Sequence, residues 1–339
     1  MKGQGVMNNP KISIIVPSFN QGAYIEHTIL SVLKQDYSNW ELIIQDACST
    51  DQTAEICAAY VLKDKRIQFY REKDKGFADG VNKALDHASG EICGIQSSDD
   101  YYSEAGVFTQ VAKMYSENPQ LNLLTAYHVP IDNKLLEVLC PPPAQKEENG
   151  FLDRRNVFAL KNHFPQGSTF FSLQRALQVD RLNPNVDMVA DTDFWIRLTN
   201  CTPAEEHAIL RVDKIWSCAI MHEEQRSVDQ CKFSLGRARM FRYMLDDPKI
   251  DLPYPTKLSV FRANLIDAFD YYYFQDKDNT VLVNLWKDVF KEDIPWKWKL
   301  KSALIKMPFF RKWYFRNINE RNALFLLSYP RGKSTKWFV

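Results

Sequence analysis

Hydrophobic and polar positions alternate with two different periods along residues 1–125. Short runs rich in β-branched and aromatic residues have the spacing of strands, and longer runs carry apolar residues at helical spacing. We predict that Pro17 ends the first strand. This alternation is typical of βαβ units and predicts a mostly parallel central sheet flanked by helices. The predicted elements are strands Ile12–Val16, Trp40–Gln45, Ile67–Tyr70 and Ile92–Gln96, and helices over Ala23–Lys34, after Ser49–Asp51, and over Gly76–His87.

After residue 125 the pattern becomes mixed. The stretch 140–150 (CPPPAQKEENG) cannot continue a helix and predicts a loop. We predict one domain over residues 1–245, with halves at 1–125 and 126–245, followed by a helical C-terminal extension over residues 246–339. The elements predicted in the second half are strands Ser168–Phe171 and Ile215–Met221 and helices Asp191–Asn200 and Ser227–Leu245.

The composition, with 45% hydrophobic and 25% charged residues in a chain of 339, is that of a globular protein with a buried core. Its seven cysteines are spaced singly without a CxxC pair. That spacing fits neither a disulfide framework nor a zinc cage and predicts a reduced, cytosolic setting. The polar start MKGQGVMNNP is unlike a signal peptide, and no run reaches the ~18 apolar residues of a spanning helix. We therefore expect a protein that is neither secreted nor membrane-spanning.

Charge is distributed unevenly along the chain. Residues 295–339 hold eleven of the 43 Lys and Arg and only one of the 42 acids, Glu320. Aromatic residues are interleaved with these bases, as in helices that lie among lipid headgroups, so the tail predicts an anionic membrane surface as partner. The alternative is a helical subdomain whose aromatic residues pack on the core. Nucleic acid is not an expected partner, because the tail has no nucleic-acid motif.

Three predicted strands run into polar loops: strand 1 into PSFNQG, strand 2 into DACSTD and strand 4 into SSDD. Because ligands of open α/β sheets bind at the carboxyl ends of the strands, we expect these loops to meet in one site. The alternative is that each loop only supplies turn formers and helix caps. Asp99 and Asp100 stand out, since two adjacent carboxylates repel each other unless a cation binds. Oxygen ligands of this kind suit Mg²⁺ or Mn²⁺, although an isolated pair is often structural.

The chain has neither GxGxxG after strand 1 nor GxxxxGK[ST], so the patterns of dinucleotide cofactor and P-loop sites are missing. A diphosphate would then have to be held by a metal. Three segments resemble the inverting glycosyltransferase family 2 with its GT-A fold, over residues 11–245 and especially in the branch that builds bacterial surface polysaccharides. The segments are ISIIVPSFNQGAYIEHTILSVLKQDYSNWELIIQDACSTDQT, EKDKGFADGVNKALDHASGEICGIQSSDD and VADTDFWIRL.

The resemblance implies a donor half over residues 1–125 and an acceptor half over residues 126–245. It implies that Asp191 is the catalytic base and that Asp100, with His222, binds a Mn²⁺ or Mg²⁺ ion that bridges the two phosphates. It also implies an acceptor region that includes Gln166, Ser168 and Trp195. The residues implied in nucleotide-sugar binding are Pro17, Ser18, Phe19, Asn20, Asp46, Asp79, Asn82, Ser98 and Asp99, with Asp79 and Asn82 near the ribose or sugar.

Structural alternatives remain for two of these residues. Asp191 has the spacing of a helix N-cap that pairs with Arg197, and His222 could be a half-buried histidine with an ordinary hydrogen-bond partner. Two departures from the family pattern leave specificity open. Ala47 stands where many relatives carry a second acid that contacts uracil, and Gln166–Thr169 replaces a HQST-like acceptor segment.

The function implied is transfer of a sugar from a nucleoside diphosphate sugar, UDP in preference to GDP, to an acceptor hydroxyl. The implied acceptor is a lipid-linked glycan of bacterial capsule, O-antigen or exopolysaccharide synthesis, reached from the inner face of the cytoplasmic membrane. Two alternatives stay open: a non-catalytic protein that binds nucleotide sugars on the same fold, and a nucleotidyltransferase. The second lacks the glycine-rich start with a following arginine that such enzymes use.

Overall fold

The computed structural model describes residues 9–132, 149–161, 164–203, 207–222, 229–274 and 277–291, together with a few positions between 295 and 310. The chain forms two compact units, Met1–His222 and Glu223–Val339. The sequence predicts a domain boundary at residue 245, whereas the compact units divide after His222. The helix predicted at Ser227–Leu245 therefore belongs to the second unit.

The first half of unit 1 follows the predicted alternation of strands and helices. Its strands run parallel in the order β3-β2-β1-β4, and a helix connects each strand to the next. The predicted elements are confirmed to within a few residues at each end. The bounds are β1 Ile12–Ser18, α1 Ile25–Leu33, β2 Trp40–Asp46, α2 Thr53–Val61, β3 Ile67–Arg71, α3 Phe77–Leu85 and β4 Ile92–Ile95.

One prediction in this half was wrong: Pro17 does not end β1. The strand continues to Ser18, and Pro17 pairs with Gln45 of β2. The carbonyl of Ile15 accepts from Gln96 N–H, so the backbone groups of Ile15 face β4. The backbone nitrogen of Pro17 faces the same side, because backbone groups of residues two apart in a strand point the same way. Because the last residue pair of β1 and β4 is Ile15 with Ile95, Pro17 lies beyond the paired part of that edge, where proline is tolerated.

The second half of unit 1 makes the sheet mixed rather than mostly parallel. The order continues from β4 through β8, β6 and β9 to β5, and β7 pairs with β9. Only the β6–β9 pair is parallel among these contacts. The sequence missed β5, β6 and β7. The bounds are β5 Asp100–Tyr102, α4 Val107–Glu117, β6 Leu123–Asp132, β7 Gly150–Phe151, α5 Arg154–Phe158, β8 Thr169–Ser172, α6 Leu173–Gln178, α7 Ala190–Asn200 and β9 Ile209–Met221.

The predicted second-half elements fall on β8, α7 and β9, although β9 begins six residues before its predicted start. Two short 3-10 helices, Gln166–Ser168 and Pro184–Val189, precede β8 and α7. Most of the predicted loop 140–150 lies outside the described residues, and Gly150 begins β7.

The core of unit 1 forms on both faces of the sheet. Ile12, Ile14 and Val16 alternate along β1 and pack with Ile29 and Val32 of α1, all fully buried. Helix α3 packs against β1 and β2. Each fully buried side chain of this size stabilises the fold by ~1.5–3 kcal/mol relative to exposure. The carboxyl ends of the parallel strands therefore sit on a rigid base.

Unit 2 is helical over its described part, in α8 Gln230–Asp246, α9 Tyr254–Phe274 and α10 Thr280–Phe290. These helices pack on one another and bury Phe241, Phe261, Phe269 and Trp286. Among the helices that the structure describes, none combines the length and apolarity that crossing a bilayer requires. Most of the basic tail, including 311–339, lies outside the described residues.

Candidate active site

The loops that follow β1 and β2 are joined by hydrogen bonds from one to the other. Asn20 has a left-handed backbone (φ 54°), which asparagine tolerates better than most residues. Its N–H donates to the Ser49 hydroxyl at 2.8 Å, and its Oδ1 accepts from Thr50 N–H at 2.9 Å. Gly22 N–H donates to the Asp51 carboxylate at 2.8 Å. The two loops thus form one connected wall at the carboxyl edge of the sheet.

Asp46, which the sequence assigns to the nucleotide pocket, directs its carboxylate into its own loop. The side chain is fully buried. Its oxygens accept from the N–H of Ser49 at 2.9 Å and from the Ser49 hydroxyl. Arg71 lies 3.4 Å from the carboxylate and also donates to the Ser49 carbonyl at 2.8 Å. Asp46 therefore stabilises the loop after β2 from the buried side of the wall.

The first loop presents an exposed aromatic ring next to polar groups. Phe19 is 57% exposed, a large value for a phenylalanine, and Asn20 beside it is also exposed. Ser18 is buried, and its hydroxyl has no hydrogen-bond partner among the described residues. Pro17 is half-buried. A flat apolar ring at the rim of such a pocket can stack on the face of a nucleobase.

The acidic turn between β4 and β5 meets the end of β9. Asp99 Oδ2 lies 2.9 Å from His222 Nε2, although 123 positions separate them in sequence. The His222 ring stacks on Tyr24 with centroids 4.8 Å apart, and its side chain is 5% exposed. Its Nδ1 is buried and has no partner among the described residues. The structure thus brings Asp99 and His222 together, as the predicted shared site requires. Ser98, beside Asp99, is buried.

Asp100 starts β5 and is held by its neighbours on both sides. Its Oδ1 accepts from Ile220 N–H at 3.1 Å, and its carbonyl accepts from the Thr28 hydroxyl at 2.6 Å. Burial, and then the negative charge of Asp99, raise the pKa of Asp100 well above the usual value, although hydrogen bonds from Ile220 and Ser97 oppose this. A cation at this point would remove the cost of holding two carboxylates together.

The acidic turn and His222 together carry side chains that can bind a divalent ion. Asp99, Asp100 and His222 offer carboxylate oxygens and an imidazole, which Mg²⁺ and Mn²⁺ accept as ligands. Within the described ranges, however, no group of three or more His, Cys, Asp and Glu side chains could hold a metal by itself. The donor set therefore fits an ion that takes its remaining ligands from phosphate oxygens and water.

The two residues assigned near the ribose or sugar differ in their surroundings. Asp79, in the first turn of α3, is 28% exposed; it accepts from Lys75 N–H at 2.9 Å and lies 3.9 Å from Lys83. The amide of Asn82 is fully engaged elsewhere, because it donates to the Leu182 carbonyl at 2.9 Å and accepts from Leu182 N–H at 3.0 Å. Asp79 thus keeps a partly exposed carboxylate, whereas the Asn82 amide is directed at Leu182.

Asp191 lies in the first turn of α7, and its structural alternative was wrong. Arg197 pairs with the fully buried Asp193 at 2.6 Å, not with Asp191, and the N-cap position is Val189. Asp191 is half-buried and accepts from Thr192 N–H at 2.7 Å. Its carboxylate therefore does not take part in the ion pair that the helix-cap alternative requires.

The three residues assigned to the acceptor region lie at different depths. Gln166 is half-buried and donates to the Ser97 hydroxyl at 3.1 Å, next to the acidic turn. Ser168 is fully buried and donates to the Tyr127 carbonyl at 2.8 Å. Trp195 is 2% exposed and packs against Phe171. Ser168 and Trp195 thus belong to the core, because their side chains are closed off from solvent, and only Gln166 reaches the edge.

Sequence reasoning missed several residues that build this site. Gln96 is fully buried and its side-chain amide donates to the Gly167 carbonyl at 3.2 Å, and a Cβ at position 167 would lie 2.5 Å from that amide group. Tyr24, Thr28 and Arg71 contact His222, Asp100 and Asp46 from other elements. Helical or strand spacing carries no signal for contacts of this kind, whereas Gly167 beside Gln166 was a visible sign of close packing.

The chain is similar in sequence to known proteins. Residues 13–179 match the family described as glycosyl transferase family 2. WfgD of Escherichia coli, a UDP-Glc:alpha-D-GlcNAc-diphosphoundecaprenol beta-1,3-glucosyltransferase, is 37% identical over 113 residues, which cover 33% of this chain and 44% of WfgD. The matched segments span 38% to 41% of the first three curated relatives, so the chain spans less than half of their length.

Two solved structures share the fold. Staphylococcus aureus TarS, in complex with UDP-GlcNAc, gives a TM-score of 0.62 at 20% identity and covers 82% of this chain and 80% of its own. The mannosyltransferase PcManGT from Pyrobaculum calidifontis, in complex with GDP-Man and Mn²⁺, gives 0.58 at 15% identity, with 94% and 86% covered. The predicted GT-A fold is confirmed.

Proposed function

Because residues 13–179 belong to glycosyl transferase family 2, we propose that the chain is an inverting glycosyltransferase that moves a sugar from a nucleoside diphosphate sugar to an acceptor hydroxyl. We propose UDP as the nucleotide in preference to GDP. The acceptor proposed is a lipid-linked glycan of bacterial capsule, O-antigen or exopolysaccharide synthesis. The observation that carries the proposal is the contact of Asp99, next to Asp100, with His222, whose ring stacks on Tyr24 in the segment that follows β1.

The donor nucleotide is proposed to lie on the wall formed by these loops. Phe19 would stack on the base, and Ser18 and Asn20 would supply polar contacts, while Asp46 keeps the second loop in shape. Asp79 and Asp99 would face the ribose and sugar. TarS supports a UDP-sugar, since its structure contains UDP-GlcNAc, and PcManGT keeps GDP-sugars in the test because it contains GDP-Man.

Asp100 and His222 are the residues proposed to hold Mn²⁺ or Mg²⁺. When bound, the ion would neutralise the charge that develops on the leaving diphosphate. Asp99 orients His222 through their 2.9 Å contact, and the Ile220 N–H orients the Asp100 carboxylate. The partly exposed Asp99 leaves this group open to a ligand at the edge of the sheet.

Asp191 is the proposed general base. A sugar hydroxyl is a poor nucleophile near neutral pH, so a carboxylate must accept its proton while its oxygen attacks the anomeric carbon, which contributes ~10²–10⁴ in rate. The bond from that carbon to the diphosphate oxygen breaks as the new bond forms. Attack from the face opposite the leaving group inverts the anomeric centre.

A lipid-linked acceptor and a place on the inner face of the cytoplasmic membrane are also proposed. WfgD, by its name, acts on a diphosphoundecaprenol-linked sugar. In the described part of the tail, Trp296 is 67% exposed and Phe309 is 85% exposed, within a strongly basic segment. Removing residues 309–339 should abolish salt-sensitive binding to anionic vesicles and leave donor turnover intact. An intact chain that binds no vesicle would contradict the membrane proposal.

Release of nucleoside diphosphate tests the enzyme proposal. The purified chain is incubated with UDP-GlcNAc, UDP-Glc and GDP-Man, with Mn²⁺ or with EDTA, and with detergent-solubilised polyprenyl-diphosphate sugars as acceptors. We expect metal- and acceptor-dependent release from one donor. Donor binding without release would support the non-catalytic alternative, and pyrophosphate release from a nucleoside triphosphate and a sugar phosphate would support the nucleotidyltransferase.

A further inference from the structure

Residues 179–182 follow α6 directly and are called the connecting segment; they have an uncommon backbone conformation. Asp180 and Arg181 both adopt the left-handed region, with φ values of 61° and 59°. L residues with side chains rarely adopt this conformation at consecutive positions, so surrounding contacts must hold it. The flanking residues Val179 and Leu182 are buried, at 4% and 1% exposure.

Helix α3 holds the connecting segment on one side. The Asn82 amide uses both of its polar groups on a single residue, Leu182, with distances of 2.9 Å to the carbonyl and 3.0 Å to the N–H. Arg181 also forms an ion pair with Asp86 at 2.6 Å. Asp86 lies at the end of α3, one helical turn after Asn82. Asn82 itself lies three residues after Asp79, so it is on the helix that borders the donor pocket.

Helix α7 holds the same segment on the other side. Arg197 donates to the Val179 carbonyl and, at 2.6 Å, to the Arg181 carbonyl. Its guanidinium is fixed by the buried Asp193 at 2.6 Å. Asp193 lies two residues after Asp191 in the first turn of α7. A continuous chain of hydrogen bonds therefore runs from α3, through the connecting segment, to the turn that carries Asp191.

We propose that Asn82 is a positioning residue: it fixes the distance between Asp191 and the donor edge through the connecting segment, rather than contacting the donor. This inference rests on the proposed function, in which Asp191 is the base. A base must lie within hydrogen-bond reach of the proton that it removes, and a displacement of ~1 Å can cost ~10² in rate. Donor binding, by contrast, depends on the loops of β1 and β2, which Asn82 does not join.

Asn82→Ala tests this directly. We expect kcat to fall by ~10- to 100-fold, while the Kd for UDP with Mn²⁺ changes by less than ~2-fold. Hydrogen exchange should speed up for the amides of residues 182–192. Asn118→Ala is the control, since it removes an asparagine side-chain hydrogen bond of the same length, to the Met114 carbonyl at 2.9 Å, at the end of α4. It should change neither kcat nor exchange at residues 182–192.

A second variant covers the case in which Asn82→Ala does not fold. Arg181→Met removes the partly exposed Asp86 pair and a long hydrogen bond of 3.5 Å to the Asn82 carbonyl, and leaves the Asn82 amide in place. It should lower kcat by about 2- to 5-fold with donor binding unchanged. The inference is overturned if Asn82→Ala weakens donor binding as much as it lowers kcat, or if kcat and exchange stay as in the wild type. A wild-type chain that turns over no donor would instead refute the proposed function, and the exchange comparison would still test the positioning role.

Discussion

The acidic turn between β4 and β5 and the first turn of α7 each carry two aspartates, but their surroundings differ. In the first, Asp99 contacts His222 and Asp100 accepts a backbone N–H, and neither faces an Arg or Lys at ion-pair distance within the described residues. In the second, Asp193 is fully buried against Arg197, and Asp191 stays half-buried. Asp193 thus serves stability beside Arg197, whereas the acids of the β4–β5 turn lie beside a histidine and each other, which is an arrangement typical of functional sites.

The largest effect is expected at Asp193, and it should be on stability. Asp193→Ala leaves the buried Arg197 guanidinium without its carboxylate, which costs ~3–5 kcal/mol when one partner of a buried pair is removed. For a unit of this size we expect Tm to fall by about 10 °C. Thermal unfolding followed by circular dichroism measures this. A Tm within about 2 °C of wild type would place Asp193 in the same class as Asp191.

Asp191→Asn should show the reverse behaviour. The substitution keeps the shape and the acceptor for Thr192 N–H but removes the proton acceptor, so kcat should fall by ~10² or more. Tm and the Kd for the donor nucleotide should stay near wild type. Steady-state kinetics with the donor found in the panel provides the measurement. Normal turnover, or unfolding, would mean that Asp191 is structural like Asp193.

Asp100→Asn should affect donor binding that depends on metal. The amide still accepts from Ile220 N–H, so the turn keeps its fold, but a negative metal ligand is lost. We expect the Mn²⁺-dependent gain in affinity for UDP to drop by ~10-fold or more in calorimetry. Asp36→Asn is the control, because Asp36 is an exposed aspartate three residues after the end of α1. Unchanged Mn²⁺-dependent binding would remove Asp100 from the proposed metal site.

The smallest effect is expected at Asp51, whose carboxylate accepts hydrogen bonds from uncharged groups. Burial would raise its pKa, but hydrogen bonds from the Thr53 side chain and from the N–H groups of Gly22 and Thr53 outweigh it and lower the pKa from its usual value. A lowered folded pKa stabilises the protein above the unfolded pKa, and this contribution is lost as pH falls through the folded pKa. Because Asp51 is exposed, Asp51→Asn should cost less than ~1 kcal/mol at pH 7. Urea unfolding of both proteins should converge as pH falls from about 5 to 3; a constant gap would refute the assignment.

The sequence alone predicted much of the fold around the donor edge. Strands β1 to β4 and their helices are each encoded by local periodicity, and the parallel order follows from their alternation. The second half was harder, because β5 is three residues long and β7 is two, too short for a period to show. Pairing across the sheet is also non-local: β6 lies between β8 and β9, which come later in the chain.

The residues of the candidate site also differ in whether the sequence could predict their role and surroundings. Asp99, Asp100, Asp191 and His222 could be named from motifs, because the chemistry depends on residue type at a fixed place in a short segment. The depth of Ser168 and Trp195 could not, because burial depends on what other segments pack on them. The partner of Arg197, by contrast, follows from helical spacing, since Asp193 lies four residues before it and Asp191 lies six.

The sequence by itself determined the strands and helices of the donor half, the polar loops at their carboxyl ends and the acids that those loops carry, since each is a property of a few neighbouring residues. Only the tertiary structure decided which distant residues these side chains contact. Asp99 meets His222 across 123 positions, and Asn82 meets Leu182 across 100. Contacts at such separations form only when distant elements pack together, and it is packing that fixes the desolvation, charge and hydrogen bonding on which each carboxylate depends.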